Sequence, residues 1–237
     1  MLSIARIGTY WANIDMTSAI DIRKIKCLDG LYYSFQLLKH HYSGLYETCC
    51  EIPSDNTKLI TAISACWGFV DALFRVREIA QSVPNLSHKN PELKAFLTTT
   101  DLAEEYRHYI QHLRSELAKN PPNEFPVWGS LSWVDAGKPE RSHIAMFGAP
   151  LEGTQFTGCV YDSLEKQWVS KVCLGVGQKS FNFDPIFATS AKFEDFIIPF
   201  LLTDASEDVK SHQRISIVTF DVNVVSHSGS SAEPDFG

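Results

Sequence analysis

Three prolines in seven residues, in the stretch Asn120-Pro-Pro-Asn-Glu-Phe-Pro126, divide the chain into halves of different texture. No helix runs through such a stretch, because each proline removes an amide donor and crowds the preceding turn. Upstream, apolar residues recur at spacings of three and four; downstream, short runs rich in Val, Trp, Phe, Tyr and Thr alternate with turn residues. The expectation is an α+β chain, with an N-terminal helical bundle over residues 1–120 followed by a mostly antiparallel β-rich module over residues 124–225. The Ser/Gly-rich tail, 226–237, reads as disordered.

Within the first half, residues 1–28 fit helical and extended readings alike, notably Ile4 to Trp11, and Asp29-Gly30 punctuates the chain. Leu31, Phe35, Leu38, Tyr42, Leu45 and Cys49 then predict one helix to about Cys50, ended by Pro53, with Ser54-Asp55 as the next cap. Lys58 to Ser82 predicts a long apolar helix with a core stripe of Ile60, Ile63, Trp67, Val70, Phe74 and Ile79. On it, Asp71 and Arg75 form an acid-before-base i,i+4 pair, ordinarily a surface interaction of about 0.2–0.5 kcal/mol. Asn90-Pro91 opens a further helix, which Thr98 to Asp101 breaks and recaps, and the last helix runs to about Lys119. In the second half, strands are expected over 127–134, 143–147, 155–162, 167–174 and 213–222, with a hairpin turn at 162–166 and a helix from a Ser190 cap to Leu202.

Composition narrows the function classes. Residues 1–120 balance 13 Lys/Arg against 13 Asp/Glu, so the second half, with 8 against 15, carries the whole net charge of −7. A general nucleic-acid coat needs a basic surface, and the acidic half lacks one; the neutral helical half still admits RNA locally. No apolar run reaches 18 residues and the N-terminus lacks a signal-peptide layout, so a cytoplasmic protein without a membrane span is expected. The six cysteines form no Cys-x-x-Cys pair and read as free or buried thiols in a reducing compartment.

The densest chemistry lies in Glu105-Tyr106-Arg107-His108-Tyr109-Ile110-Gln111-His112. On a helical wheel Leu102, Tyr106, Tyr109, Ile110, Leu113 and Leu117 share one sector and must face the core. Glu104, Arg107, His108, Gln111, His112 and Ser115 lie opposite. Arg107 and His112 are about 140° apart on an ideal helix, so they work together only across a kink or with a second copy of the helix.

Arg107, a polar His108, three further residues and then His112 resemble the motif of the HEPN family, over about residues 25–120. Family members are four- or five-helix bundles, usually dimers, whose arginine–histidine motifs meet across the interface. Asparagine or aspartate is commoner there than His108, and the β-rich half lies outside the family's bundle. The resemblance implies a homodimer formed through the helical domain. It also implies a metal-independent endoribonuclease in a toxin or defence role, with RNA as substrate and a protein antitoxin as a possible partner. His112 would then serve as general acid or base, Arg107 would hold the scissile phosphate, and His108 would assist. No cofactor and no metal is expected.

Other readings stand beside this one. The three side chains also fit a solvated helix face, or a dimer contact without chemistry. A non-enzymatic dimeric binding or regulatory protein, whose β module recognises a ligand or partner, is the alternative function. His108 and His112 have the i,i+4 spacing of zinc ligands, but neither a zincin glutamate nor a third ligand accompanies them in sequence. His40-His41 falls on a helix able to approach the motif but reads first as a satisfied or exposed structural pair, Cys49-Cys50 lacks a basic neighbour to activate it, and Gly148–Gly153 and Gly175–Gly177 read as turns. Trp128, Trp133 and Trp168 read as aromatic area for a sheet core, with the lining of a ligand pocket as the alternative.

Overall fold

A computed structural model describes residues 19–119, 124–149, 151–203 and 205–211. The N-terminal segment with Ile4–Trp11, the strand expected over 213–222 and the tail at 226–237 lie outside the described residues. Helix α1 spans Ala19–Tyr42 and continues through Asp29-Gly30, a dipeptide that by itself signals a boundary. A β-carbon on Gly30 would stand 2.8 Å from the Ile79 side chain, so the glycine lets α1 close onto the helix carrying Ile79. That contact offsets the roughly 0.5–1 kcal/mol that a mid-helix glycine costs. The helix expected to reach Cys50 instead ends at Tyr42, turns at Gly44 with φ +73°, and restarts as the short α2, Leu45–Glu51. The expected core positions Leu31, Phe35, Leu38, Leu45 and Cys49 are all buried nonetheless.

Helix α3, Lys58–Gln81, occupies the predicted span, but its buried stripe is rotated. Ala62, Ile63, Cys66, Phe69, Val70, Leu73, Val76 and Ala80 are buried, whereas Ile60 is 68% exposed. α3 packs against α1, α2 and the later helix α5, so small residues at the close approaches are buried as deeply as large ones. By length and composition α3 could cross a membrane, but here it is the central helix of the fold. Helix α4, Pro91–Thr99, starts as expected, with the Asn90 side chain accepting the Leu93 amide at 3.0 Å. Helix α5, Asp101–Gln111, ends at His112 (φ −106°, ψ 23°), and a single turn, α6, Leu113–Leu117, follows in place of the one helix to Lys119 that periodicity predicts.

The second half builds one antiparallel sheet of order β2-β1-β5-β6, from β1 Ser130–Val134, β2 Ser142–Met146, β5 Val172–Val176 and β6 Lys179–Asn182. A separate hairpin pairs β3, Tyr161–Asp162, with β4, Gln167–Trp168. Its turn is the predicted one, with Asp162 Oδ1 accepting the amides of Leu164 and Glu165. The strand expected over 155–162 is reduced to those two residues. The preceding segment instead ties itself to side chains of β1, Ser130 Oγ donating to the Thr157 carbonyl and Ser132 Oγ to the Cys159 sulfur. Strand β6 is an element the sequence does not announce, and Gly175 belongs to β5, leaving Gly177 to make the turn.

Helix α7, Phe183–Leu202, begins a full two turns before Ser190, which is buried within it and donates to the Ile186 carbonyl. The reason is aromatic packing: Phe183 meets Phe69 of α3, and Phe193 stacks on Phe96 of α4 at 4.0 Å. A final short helix, α8, spans Glu207–Ser211. Leu131, Trp133, Leu174 and Phe181 of the sheet join the buried residues of α1 to α5 and α7 in a single apolar cluster. Trp133 lies in this core, whereas Trp128 is 48% exposed. All six cysteines are free thiols.

Candidate functional site

Two tyrosines set the face that α5 presents. The Tyr106 hydroxyl lies 3.0 Å from the Leu174 carbonyl and 2.8 Å from that of Lys179, and accepts the Val176 amide at 3.2 Å. Tyr109 Oη donates to the Val127 carbonyl at 2.8 Å. With Ala103, these are the buried residues of α5, so the helix is pinned to the β5–β6 turn by its apolar side. His108, Gln111 and His112 consequently lie on the exposed side, as the wheel predicts, while Arg107 is half-buried. Leu117 departs from the wheel and is 56% exposed, because the break at His112 turns α6 off the axis of α5.

Arg107 turns towards α3. Its Nε stands 2.9 Å from Asp71 Oδ1, a charge pair by distance, although the N–H is not aligned for a hydrogen bond. The other Asp71 oxygen accepts from Arg75 Nε at 2.8 Å. One carboxylate thus sits between two guanidiniums and leaves a net positive charge on this turn of α3. The i,i+4 pair seen in sequence is therefore two-thirds of a larger arrangement, whose third member comes from another helix.

His41 of α1 reaches the same turn. Its imidazole lies over Gly68, where any β-carbon would overlap the ring. Burial lowers the His41 pKa below the ordinary histidine value and neighbouring His40 adds to the effect, while the Asp71 charge acts in the opposite sense. In sequence His40-His41 reads first as structural, and Asp71, the charge that pairs with Arg107 and acts on His41, is unmarked. The one available signal is a glycine inside an otherwise apolar helix, one turn before an acid.

His108 and His112 form a second, separate grouping. Their ring centroids are 4.3 Å apart with a 43° tilt, and the His112 amide still donates to the His108 carbonyl at 3.0 Å. Both rings are exposed. His108 lines a cavity of about 620 Å³ together with Asp101, Glu104, Glu105, Glu116, Lys119 and Lys179. The lysines are engaged there, Lys119 with Glu116 and Lys179 with Glu105. Of the three candidate residues, the fold joins the two histidines and sends Arg107 elsewhere. The chain breaks its helix at His112, but this break does not pair His112 with Arg107. Among the described residues no group of three or more His, Cys, Asp or Glu gathers as a metal cage.

A larger cavity, about 1090 Å³, opens in the second half between Tyr46 of α2, Asp135 after β1, and Tyr161 and Trp168 of the small hairpin. Lys171 Nζ lies 5.2 Å from the centre of the Tyr46 ring, within cation–π range. Burial and a hydrogen bond to Cys50 push the Tyr46 phenol up to about 12. Asp135 is held below the usual carboxylate range by hydrogen bonds from His143, at 2.9 Å, and the Gly137 amide. No motif marks this cleft in the sequence, because its walls come from α2, β1 and the hairpin. Neither a protein-family model, nor a curated protein, nor a solved structure matches the chain.

Proposed function

We propose that the chain is a HEPN-like homodimer whose α5 helices face each other and cut RNA without a metal. The observation that carries this reading is the placement of the motif. A half-buried Arg107 within a late helix and an exposed His112 at its C-terminal end each have a different partner inside one chain. Arg107 and His112 have the chemistry for phosphate transesterification. Imidazole changes protonation near neutral pH, and a guanidinium matches phosphate oxygens in pairs. In such a reaction the RNA 2′-hydroxyl attacks the neighbouring phosphorus and the 5′-oxygen leaves. His112 moves the proton, Arg107 stabilises the added negative charge, and Asp71 positions Arg107. His108 packs against His112 with the rings tilted by 43° and assists it. Because one chain does not bring Arg107 and His112 into contact, the reading requires a second copy. A role in a toxin or defence system, an antitoxin partner and a cytoplasmic setting belong to the same proposal.

The test is cleavage of single-stranded RNA in the presence of EDTA. Wild type should cut, and H112A should lose about 10²–10⁴-fold, the usual worth of a general acid or base. The R107A/H112A protein should be inactive while retaining its circular dichroism spectrum. Undiminished cleavage by that folded double variant removes the proposal.

The large aromatic cleft of the second half favours a second reading, a dimeric binding protein whose β module holds a ligand or partner. Overexpression separates the two. Growth arrest by wild type that R107A relieves supports the nuclease; neutrality of both supports the binding protein.

A further inference from the structure

We propose that His108 and His112 form a chelating site for a borderline or soft divalent transition ion, of the zinc, nickel or copper class. This goes beyond the nuclease reading and stands without it. The two imidazoles follow each other by one helical turn, with centroids 4.3 Å apart and a tilt of 43°. Two nitrogens bound at about 2.1 Å to a tetrahedral zinc are about 3.4 Å apart, so the rings need only side-chain rotation to share an ion. The backbone is already set, since the His112 amide bonds the His108 carbonyl across the break.

In the cavity beside His108, Glu104, Glu105 and Glu116 are paired with Arg77, Lys179 and Lys119, so Asp101 leaves that wall one net negative charge and nothing in it repels a cation. Glu104 lies one turn before His108 on the same side of α5, although its Oε2 is held by Arg77 at 2.9 Å. Neutral imidazole nitrogen selects zinc, nickel and copper over magnesium and calcium, which require oxygen cages. Among the described residues no third ligand gathers with them, so water or a second copy of the chain fills the remaining positions. An ion held here occupies both imidazoles, so it opposes the metal-free cleavage proposed above rather than assisting it.

Titration of the tag-free full chain with zinc chloride in a calorimeter tests the site, as does copper(II) followed by electron paramagnetic resonance. One ion per chain, or one per two chains, with two nitrogens in the copper spectrum, is the expected result. H108A and H112A should each weaken binding by at least about tenfold, since loss of even an outer-shell partner costs that much. H88A, at an exposed loop histidine, should bind as wild type does. Equal affinity in wild type, H108A and H112A overturns the proposal, and so does a copper spectrum without nitrogen coupling. Both positions are on the exposed face of α5, and paramagnetic broadening of the His108 and His112 resonances in the unmutated protein tests the same ligation without substitution; unbroadened resonances overturn it.

Discussion

Asp71 does more than its sequence context suggests. Its carboxylate faces Arg75 on its own helix and Arg107 on α5, and its charge reaches His41 from α1. Three helices therefore meet electrostatically at one acid. For His41 the balance goes to burial, which lowers its pKa from 6.5 against the pull of Asp71. A histidine with a depressed folded-state pKa binds its proton more readily when unfolded. Its contribution to stability is therefore intact above the ordinary histidine value and declines as the pH falls through it. D71N removes the only opposing charge among the causes of the shift, so the His41 midpoint should fall further, and stability should decline more steeply below neutrality. Side-chain NMR of His41 against pH reads the midpoint directly. A midpoint unchanged or raised in D71N contradicts the placement of Asp71 beside this ring.

At the level of elements, the corner between α4 and α5 decides where the motif helix points. Arg77 of α3, only 6% exposed, reaches across to it. Its guanidinium donates to the Leu97 carbonyl at 2.6 Å, to Thr100 Oγ1 at 2.8 Å and to Glu104 at 2.9 Å. Glu104 is 63% exposed, so solvent screens that ion pair and most of the stabilisation rests on the two buried acceptors. R77M should cost about 2–3 kcal/mol, the range for hydrogen bonds from a charged group that leave buried acceptors unpaired. Urea unfolding measures the loss; a cost under about 0.5 kcal/mol, typical of surface changes, contradicts the clamp. The sequence makes the span of α3, the Asn90 cap of α4, the break at Thr98–Asp101 and the hairpin turn at 162–166 legible from local chemistry, although Thr100, the expected cap of α5, instead donates to the Phe96 carbonyl and is held by Arg77 of α3. It hides what depends on distant partners. Gly30 looks like a breaker until Ile79 of α3 lies against it, and Ser190 looks like a cap until Phe183 finds Phe69. The motif itself shows the same division: the exposed face of α5 is readable from periodicity, whereas the Arg107–Asp71 pair is not.

Across the whole molecule, the prolines at 121, 122 and 126 mark a change of texture, yet the sheet and the helices bury their apolar residues in one cluster. The Tyr106 hydroxyl, sharing its proton between the Leu174 and Lys179 carbonyls and accepting the Val176 amide, ties the motif helix to β5 and β6 in that shared core. A rigid α5 cannot swing Arg107 onto His112, which is why the proposed chemistry is assigned to two copies. Complementation between inactive chains tests this most directly. R107A and H112A are co-expressed, and RNA cleavage by the mixture is compared with that of each variant alone and of wild type. A site built from Arg107 of one copy and His112 of the other predicts recovery to about a quarter of wild-type activity, because half the dimers would then hold one intact site of two. A mixture no more active than the separate variants, beside a wild type that cleaves, contradicts it.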